Sequence, residues 1–155
     1  MAETVTDHPI NIARQRFKLR VWITSRLWAQ VMLGMVLGFA LAVLPAIILS
    51  GVPDRSADHD AGKRTLVVRL GIATSVRLAM VLLALSALGA LVLALGPVPV
   101  GVVLPLIALP HAALLIWLLR RYLSEGAAER RIDLLLGLGL LYIAWFVVVP
   151  FVAMI

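Results

Sequence analysis

Hydrophobic positions along the chain fall into long blocks and not into an alternating pattern. Residues 27–53, 78–119 and 134–155 contain no Asp, Glu, Lys or Arg, and a bilayer core of about 30 Å needs about 20 helical residues to cross it. The middle block is long enough for two crossings. It is interrupted by Gly96, Pro97, Val98, Pro99 and Gly101, which disfavour a continuing helix and read as a tight turn between antiparallel helices. The pattern predicts spans near 27–50, 71–95, 100–119 and 134–155. Runs such as Met80 to Leu85 are apolar on every side, as suits a lipid-embedded helix and not a β-barrel strand. The expected fold class is an all-α integral membrane protein with four transmembrane helices.

Composition agrees. Of 155 residues, 63% are hydrophobic and 14% charged, against roughly 45–50% and 25% in soluble domains. The mean hydropathy of +1.06 excludes a disordered chain or a secreted soluble enzyme. With no cysteine in the sequence, disulfide scaffolds, thiolate zinc sites and thiol catalysis are excluded together. The net charge of +6 raises nucleic acid as a partner, but the basic residues sit between apolar runs instead of lining one groove-sized face. Anionic lipid or a phosphate-bearing substrate fits that distribution better.

Residues 1–26 form a basic N-terminal tail. Glu3 and Asp7 precede its basic stretch, which does not suit a cleavable signal, and none is expected. From residue 12 to 28, Phe17, Leu19, Val21, Trp22 and Ile23 are interleaved with Arg14, Arg16, Lys18, Arg20 and Arg26. Such a segment suits an interfacial helix at the headgroup level, or simply a basic flank that anchors the first span. With four crossings, the 51–70 and 120–131 loops share one side. They carry eight basic residues, Arg55, Lys63, Arg64, Arg69, Arg120, Arg121, Arg130 and Arg131, against five in the tail. The positive-inside rule places both loops in the cytoplasm of a cell's inner membrane.

The segment richest in chemistry runs from Gly51 to Thr65. If residues 54–60 are helical, Asp54 and Asp58 stand at i and i+4 on one face, where two carboxylates can converge on a hard cation such as Mg²⁺. Mg²⁺ keeps waters and draws further oxygens from substrate phosphates, which Lys63 and Arg64 are placed to neutralise. The plainer alternative is a solvated loop of loosely paired acids and bases. A Walker loop is excluded, since the glycine it needs at position 57 is Ala57.

Read whole, Pro53-Asp54-x-x-x-Asp58-x-x-x-Gly62-Lys63-Arg64-Thr65-Leu66-x-Val68-Arg69-Leu70-Gly71 resembles the second aspartate-rich motif of the UbiA prenyltransferase superfamily, particularly its quinone-pathway type. That resemblance implies a place among the C-terminal helices of a nine-helix bundle. It also implies transfer of a prenyl group from a polyprenyl diphosphate to a hydrophobic acceptor, aromatic or lipid. Asp54 and Asp58 would be catalytic metal ligands for Mg²⁺, and Lys63 and Arg64 would contact the diphosphate. The family's first motif, an Asn-Asp pair with further spaced aspartates, has no counterpart here: Asn11, Gln15 and Gln30 precede Asp54, and none is followed by Asp. Gly51 also stands where many members carry another aspartate. The implied unit is therefore partial or split, completed by a complementary N-terminal half or a homo-oligomer. Four helices alone are expected to leave an open, lipid-filled cleft. The contrasting expectation is a non-catalytic remnant or interaction protein that keeps these helices.

Other polar residues add less. Arg77 lies near enough to a span end to snorkel, and His111 reads as a packed group hydrogen-bonded between helices more readily than as a base. A small transporter would need paired charges inside the membrane, and only Arg77 and His111 are on offer. Gly34 and Gly38 form a GxxxG pair that lets another helix approach, in this chain or a partner. Pro45, Pro105 and Pro110 predict kinks, and Tyr142 and Trp145 lie deep enough to pack inside.

Overall fold

The computed structural model describes residues 9–94, 100–125 and 129–152. The described residues are almost all helical, with no strand among them: α1 (Pro9–Ser50), α2 (Arg55–Asp60), α3 (Leu66–Leu70), α4 (Ile72–Ala94), α5 (Val100–Ser124) and α6 (Glu129–Val152). Four of these helices are long and apolar enough to cross a membrane, over Met32–Ser50, Ile72–Leu93, Val102–Ser124 and Ile132–Val152. The all-α, four-span architecture of an integral membrane protein is thus as the charge-free blocks require. The expected turn at residues 96–99, the Trp28 side chain and the ion pairing of Glu129, Arg130 and Arg131 lie outside the described residues.

By length and composition the third candidate span runs on to Ser124 and takes in Arg120 and Arg121, whose long cationic side chains can reach the headgroups while their stems stay in the apolar layer. The first candidate span lies within a helix that runs from Pro9. At 1.5 Å per residue, 42 residues measure about 63 Å, so α1 exceeds a bilayer core by about 30 Å. Residues 14–26 are exposed on all sides of it.

The four long helices close into a ring in which α1 packs on α4, α4 on α5, α5 on α6, and α6 back on α1. This corrects the expected open cleft. The reason is side-chain size: the buried faces carry Ala42 and Ala46 on α1, Ala79, Ala87 and Ala90 on α4, and Ala108 and Ala112 on α5. Small residues let helix backbones approach closely, and in lipid such packing is a main source of association energy. Leu83, Leu104, Leu115, Leu119, Tyr142 and Phe146 fill the space between them. Gly38 and Gly89 serve the same end between α1 and α4, since a Cβ added to Gly89 would lie 3.9 Å from the Gly38 Cα. The GxxxG pair is used inside the chain. Leu33, Val36, Leu37, Leu88, Val92, Leu106 and Leu140 point outward, as lipid-facing positions do. Pro45, Pro105, Pro110 and Pro150 all sit within continuous helices.

Candidate functional site

The aspartate-rich loop is built by three chain-stopping events. Gly51 and Val52 direct their N–H groups back to the Ile48 and Leu49 carbonyls at 3.3 and 3.1 Å, a tightened last turn, and Pro53 has no N–H to carry α1 further. Asp54 then caps α2, its carbonyl accepting the Asp58 N–H at 2.8 Å. The expected i, i+4 relation between the two aspartates is therefore present. Gly62, at φ +69°, ends this short helix. Its N–H reaches the His59 carbonyl at 3.0 Å and the Lys63 N–H reaches the Asp58 carbonyl at 2.8 Å, the paired bonds of a Schellman motif, which calls for a residue tolerant of the left-handed region at this point.

That reversal determines what Lys63 does. With its main chain already tied to Asp58, its side chain folds over the same residue, and Nζ donates to Asp58 Oδ1 at 2.8 Å. The Asp58 side chain is 11% exposed and that of Lys63 64%, so the ammonium lies outside and covers a carboxylate set into the protein. Asp58 chiefly, with Asp54 adding a weaker pull, raises the Lys63 pKa above its ordinary value of 10.5. Asp54, Arg55, Arg64 and Arg69 are exposed. Thr65, extended, starts α3, and Gly71, at φ +78°, separates α3 from α4. The buried Val52 and Val67 seat the loop on the end of the bundle.

Sequence reasoning gave Asp54 and Asp58 one role and Lys63 and Arg64 another. The structure brings Asp58 and Lys63 together as a pair and leaves Asp54 and Arg64 open to solvent. This donor set falls short of what a resident Mg²⁺ needs. The ion prefers octahedral oxygen ligation, one Asp58 oxygen is already engaged by an ammonium, and no group of three or more His, Cys, Asp or Glu side chains suited to a metal occurs among the described residues. Asp54 and Asp58 do not fit a resident Mg²⁺ by themselves.

Alternating crossings put the end of α5 on the same side as this loop. There a half-open cleft of about 230 Å³ lies among Leu118, Arg121, Tyr122, Leu134 and Leu135. It is smaller than the roughly 300–1,000 Å³ usual for small-molecule pockets, and much too small to enclose a polyprenyl chain. Arg121 is engaged with Glu125 at 2.5 Å and stacks over Trp117 at 5.7 Å.

A second polar cluster lies inside the bundle. Trp145 Nε1 donates to His111 Nδ1 at 3.0 Å, joining α6 to α5, so His111 is the interhelical hydrogen-bonding group its position suggests. Tyr142 donates to Ser86 at 3.2 Å, and Ser86 to the Gly38 carbonyl at 3.2 Å, joining α6, α4 and α1. The His111 and Phe146 rings stand edge-on to Tyr142, each at 5.5 Å. Ser86 escaped sequence reasoning; its only signal was a hydroxyl within an apolar span. Arg77 is exposed near the start of α4, as snorkelling requires.

Comparison with known proteins finds no matching family model, no matching characterised relative and no matching solved structure.

Proposed function

We propose that this chain is the second-motif portion of a UbiA-like intramembrane prenyltransferase, acting on a polyprenyl diphosphate and a hydrophobic acceptor. The observation that carries the reading is the folded form of the loop. Asp54 and Arg64 stand open, and Lys63 is held at its solvent side, all at the end of a four-span apolar bundle. Lys63 and Arg64 offset the charge of the diphosphate, which grows as the prenyl C–O bond breaks and the diphosphate leaves; the acceptor bonds to the freed prenyl carbon and gives up a proton to solvent. The bilayer, more than the small α5–α6 cleft, receives the prenyl chain. In this reading Mg²⁺ requires further ligands from a complementary N-terminal half or a second copy, and the two charged loops face the cytoplasm at the inner membrane.

The test is binding of farnesyl diphosphate to the chain in nanodiscs, with and without Mg²⁺. Saturable binding that weakens at least tenfold in Arg64→Ala, and whose Mg²⁺-dependent part is lost in Asp54→Ala, supports the reading; no binding at any Mg²⁺ concentration, by the chain alone or together with a complementary N-terminal half, refutes it. One observation favours a second reading, a non-catalytic membrane protein: Asp58 is already neutralised by Lys63, so the loop is stable with nothing bound. In that case Asp54→Ala and Arg64→Ala alter neither ligand binding nor stability.

A further inference from the structure

The cleft between α5 and α6 plays no part in the diphosphate reading, yet its lining is sorted by polarity. Leu118 and Tyr122 on α5 and Leu134 and Leu135 on α6 form its walls, and the charged side chain among them is Arg121. Leu134 and the neighbouring Trp117 are exposed, so the half-open mouth faces the lipid outside the ring and not its interior. Arg121 lies close to Ser124, where the third candidate span ends. Its guanidinium is therefore at headgroup level, with the leucines deeper in the apolar layer. The side chain is also held in place. Trp117, one turn earlier, lies 5.7 Å from the guanidinium, and Glu125, one turn later, accepts from Nε at 2.5 Å. A guanidinium has five N–H donors, and no described residue hydrogen-bonds those on Nη1 and Nη2. That remaining fork matches a pair of phosphate oxygens. The described charges around it are Arg120 and Arg121 against Glu125 and Asp133, which balance, so no net field draws a multiply charged anion. A molecule with one phosphodiester and an apolar chain satisfies both halves of the cleft. A membrane glycerophospholipid has that composition, and basic pockets between membrane helices are known to bind phospholipid headgroups.

We propose that the α5–α6 cleft is a phospholipid site: Arg121 binds the phosphodiester of a glycerophospholipid from the surrounding leaflet, and one acyl chain enters between Leu118, Leu134 and Leu135. Because the cleft is small and half open, it takes the upper part of that chain and leaves the rest in the bilayer. Recognition rests on the phosphate that all such lipids share and not on the net charge of the headgroup. The site is separate from the prenyl reading and stands or falls without it.

The test is native mass spectrometry of the full chain in detergent micelles, titrated with dioleoyl phosphatidylethanolamine and, separately, with dioleoylglycerol, which has the same chains and no phosphate. The unaltered chain is expected to take up one phospholipid ahead of any others, about fivefold more tightly than dioleoylglycerol, as one solvent-accessible ionic contact provides. Arg121→Gln should lose that preference. Glu125→Gln breaks the same ion pair but keeps the guanidinium, so its affinity should equal or exceed the original. Equal losses in the two variants would reduce Arg121 to a structural partner of Glu125 and overturn the site. Leu134→Trp fills the cleft from an exposed position and should abolish the first-bound lipid, whereas Arg120→Gln, which does not line the cleft, should change nothing. Equal affinity for phosphatidylethanolamine and dioleoylglycerol overturns the proposal. So does release of the first lipid by inorganic phosphate or by farnesyl diphosphate, which would give the cleft to a soluble anion or to a prenyl substrate. Thermal unfolding in the same detergent checks that each variant is folded, and Arg121→Met or Leu134→Phe replaces one that is not.

Discussion

Tyr142 and Ser86, 56 positions apart, meet with Oη 3.2 Å from Oγ in the centre of the bundle, and Ser86 passes its own hydrogen to the Gly38 carbonyl. Both side chains are fully buried, so the two deletions are unequal. Tyr142→Phe removes one bond and leaves Ser86 still donating to Gly38. Ser86→Ala strands the Tyr142 hydroxyl in an apolar interior. Interhelical hydrogen bonds in membranes average about 0.6 kcal/mol and reach about 1.7, while an abandoned buried group costs about 1–3 kcal/mol. Tyr142→Phe should therefore lose about 0.5–1 kcal/mol and Ser86→Ala about 1–2, measured by unfolding in mixed micelles. The double variant should lie closer to Ser86→Ala than the sum does. A larger loss in Tyr142→Phe than in Ser86→Ala would mean that Tyr142 contributes through its ring contacts.

Glycine substitutions separate the packed face of the ring from its lipid face. A Cβ on Gly38 would lie 3.1 Å from the edge of the Phe146 ring, while one on Gly137 would meet nothing within 4 Å. Phe146 is buried and has little room to yield. Gly38→Leu should push α1 from α6 at a cost of about 1–3 kcal/mol or more. Gly137→Ala should leave stability unchanged or raise it by up to about 1 kcal/mol, because alanine is the better helix former. Thermal unfolding in one detergent ranks them, and equal losses at both sites would contradict the ring packing.

The parts of this architecture that were readable in the sequence are those fixed by composition along the chain. Four crossings follow from charge-free blocks, and the Asp54 to Gly71 segment stands out by its spacing. The parts that were not readable depend on rotation and reversal. Which face of α4 meets Tyr142 is set by how four helices turn against one another, and no local pattern encodes a contact between Ser86 and a residue two helices away. The pairing of Lys63 with Asp58 depends on a positive φ at Gly62, which folds position 63 back over position 58. The glycine followed by lysine was visible, but not the geometry that converts two separate roles into one ion pair. The closed ring was hidden for a related reason: the alanines on α1, α4 and α5 read as generic apolar residues until their shared burial shows that they set the helix separation.

The loop should loosen in alkali in a manner that depends on Lys63. Its pKa is raised in the folded protein by Asp58, so the stabilising contribution is complete below the ordinary lysine pKa of 10.5 and is lost as pH rises through the higher folded value. Protease cleavage within residues 51–71 should therefore stay slow through neutral and mildly alkaline pH and accelerate above about 10.5. In Lys63→Met the acceleration should vanish, leaving a pH-independent rate. Gly62→Ala should give fast cleavage at all pH values, because alanine in the left-handed region costs about 1–2 kcal/mol and the space around Gly62 offers no compensating contact. An alkaline step that persists in Lys63→Met would assign it to another group.

The absence of cysteine from the sequence makes sidedness directly measurable. Ser56 on α2 and Ser124 at the end of α5 are exposed, and alternating crossings put them on one side, with Thr24 in the α1 extension on the other. Single variants Ser56→Cys, Ser124→Cys and Thr24→Cys leave the core untouched and differ only in where one thiol is presented. A membrane-impermeant maleimide applied to sealed vesicles should label Ser56→Cys and Ser124→Cys alike and Thr24→Cys oppositely. Arg55, Lys63, Arg64, Arg69, Arg120 and Arg121 accompany the first two positions, so that side should be the cytoplasmic one. If Ser56→Cys and Ser124→Cys label from opposite sides, one of the four helices does not cross. If they agree but face outward, the five basic residues between Arg14 and Arg26 outweigh the loops in setting orientation, and the Asp54 to Gly71 loop lies away from the cytoplasm.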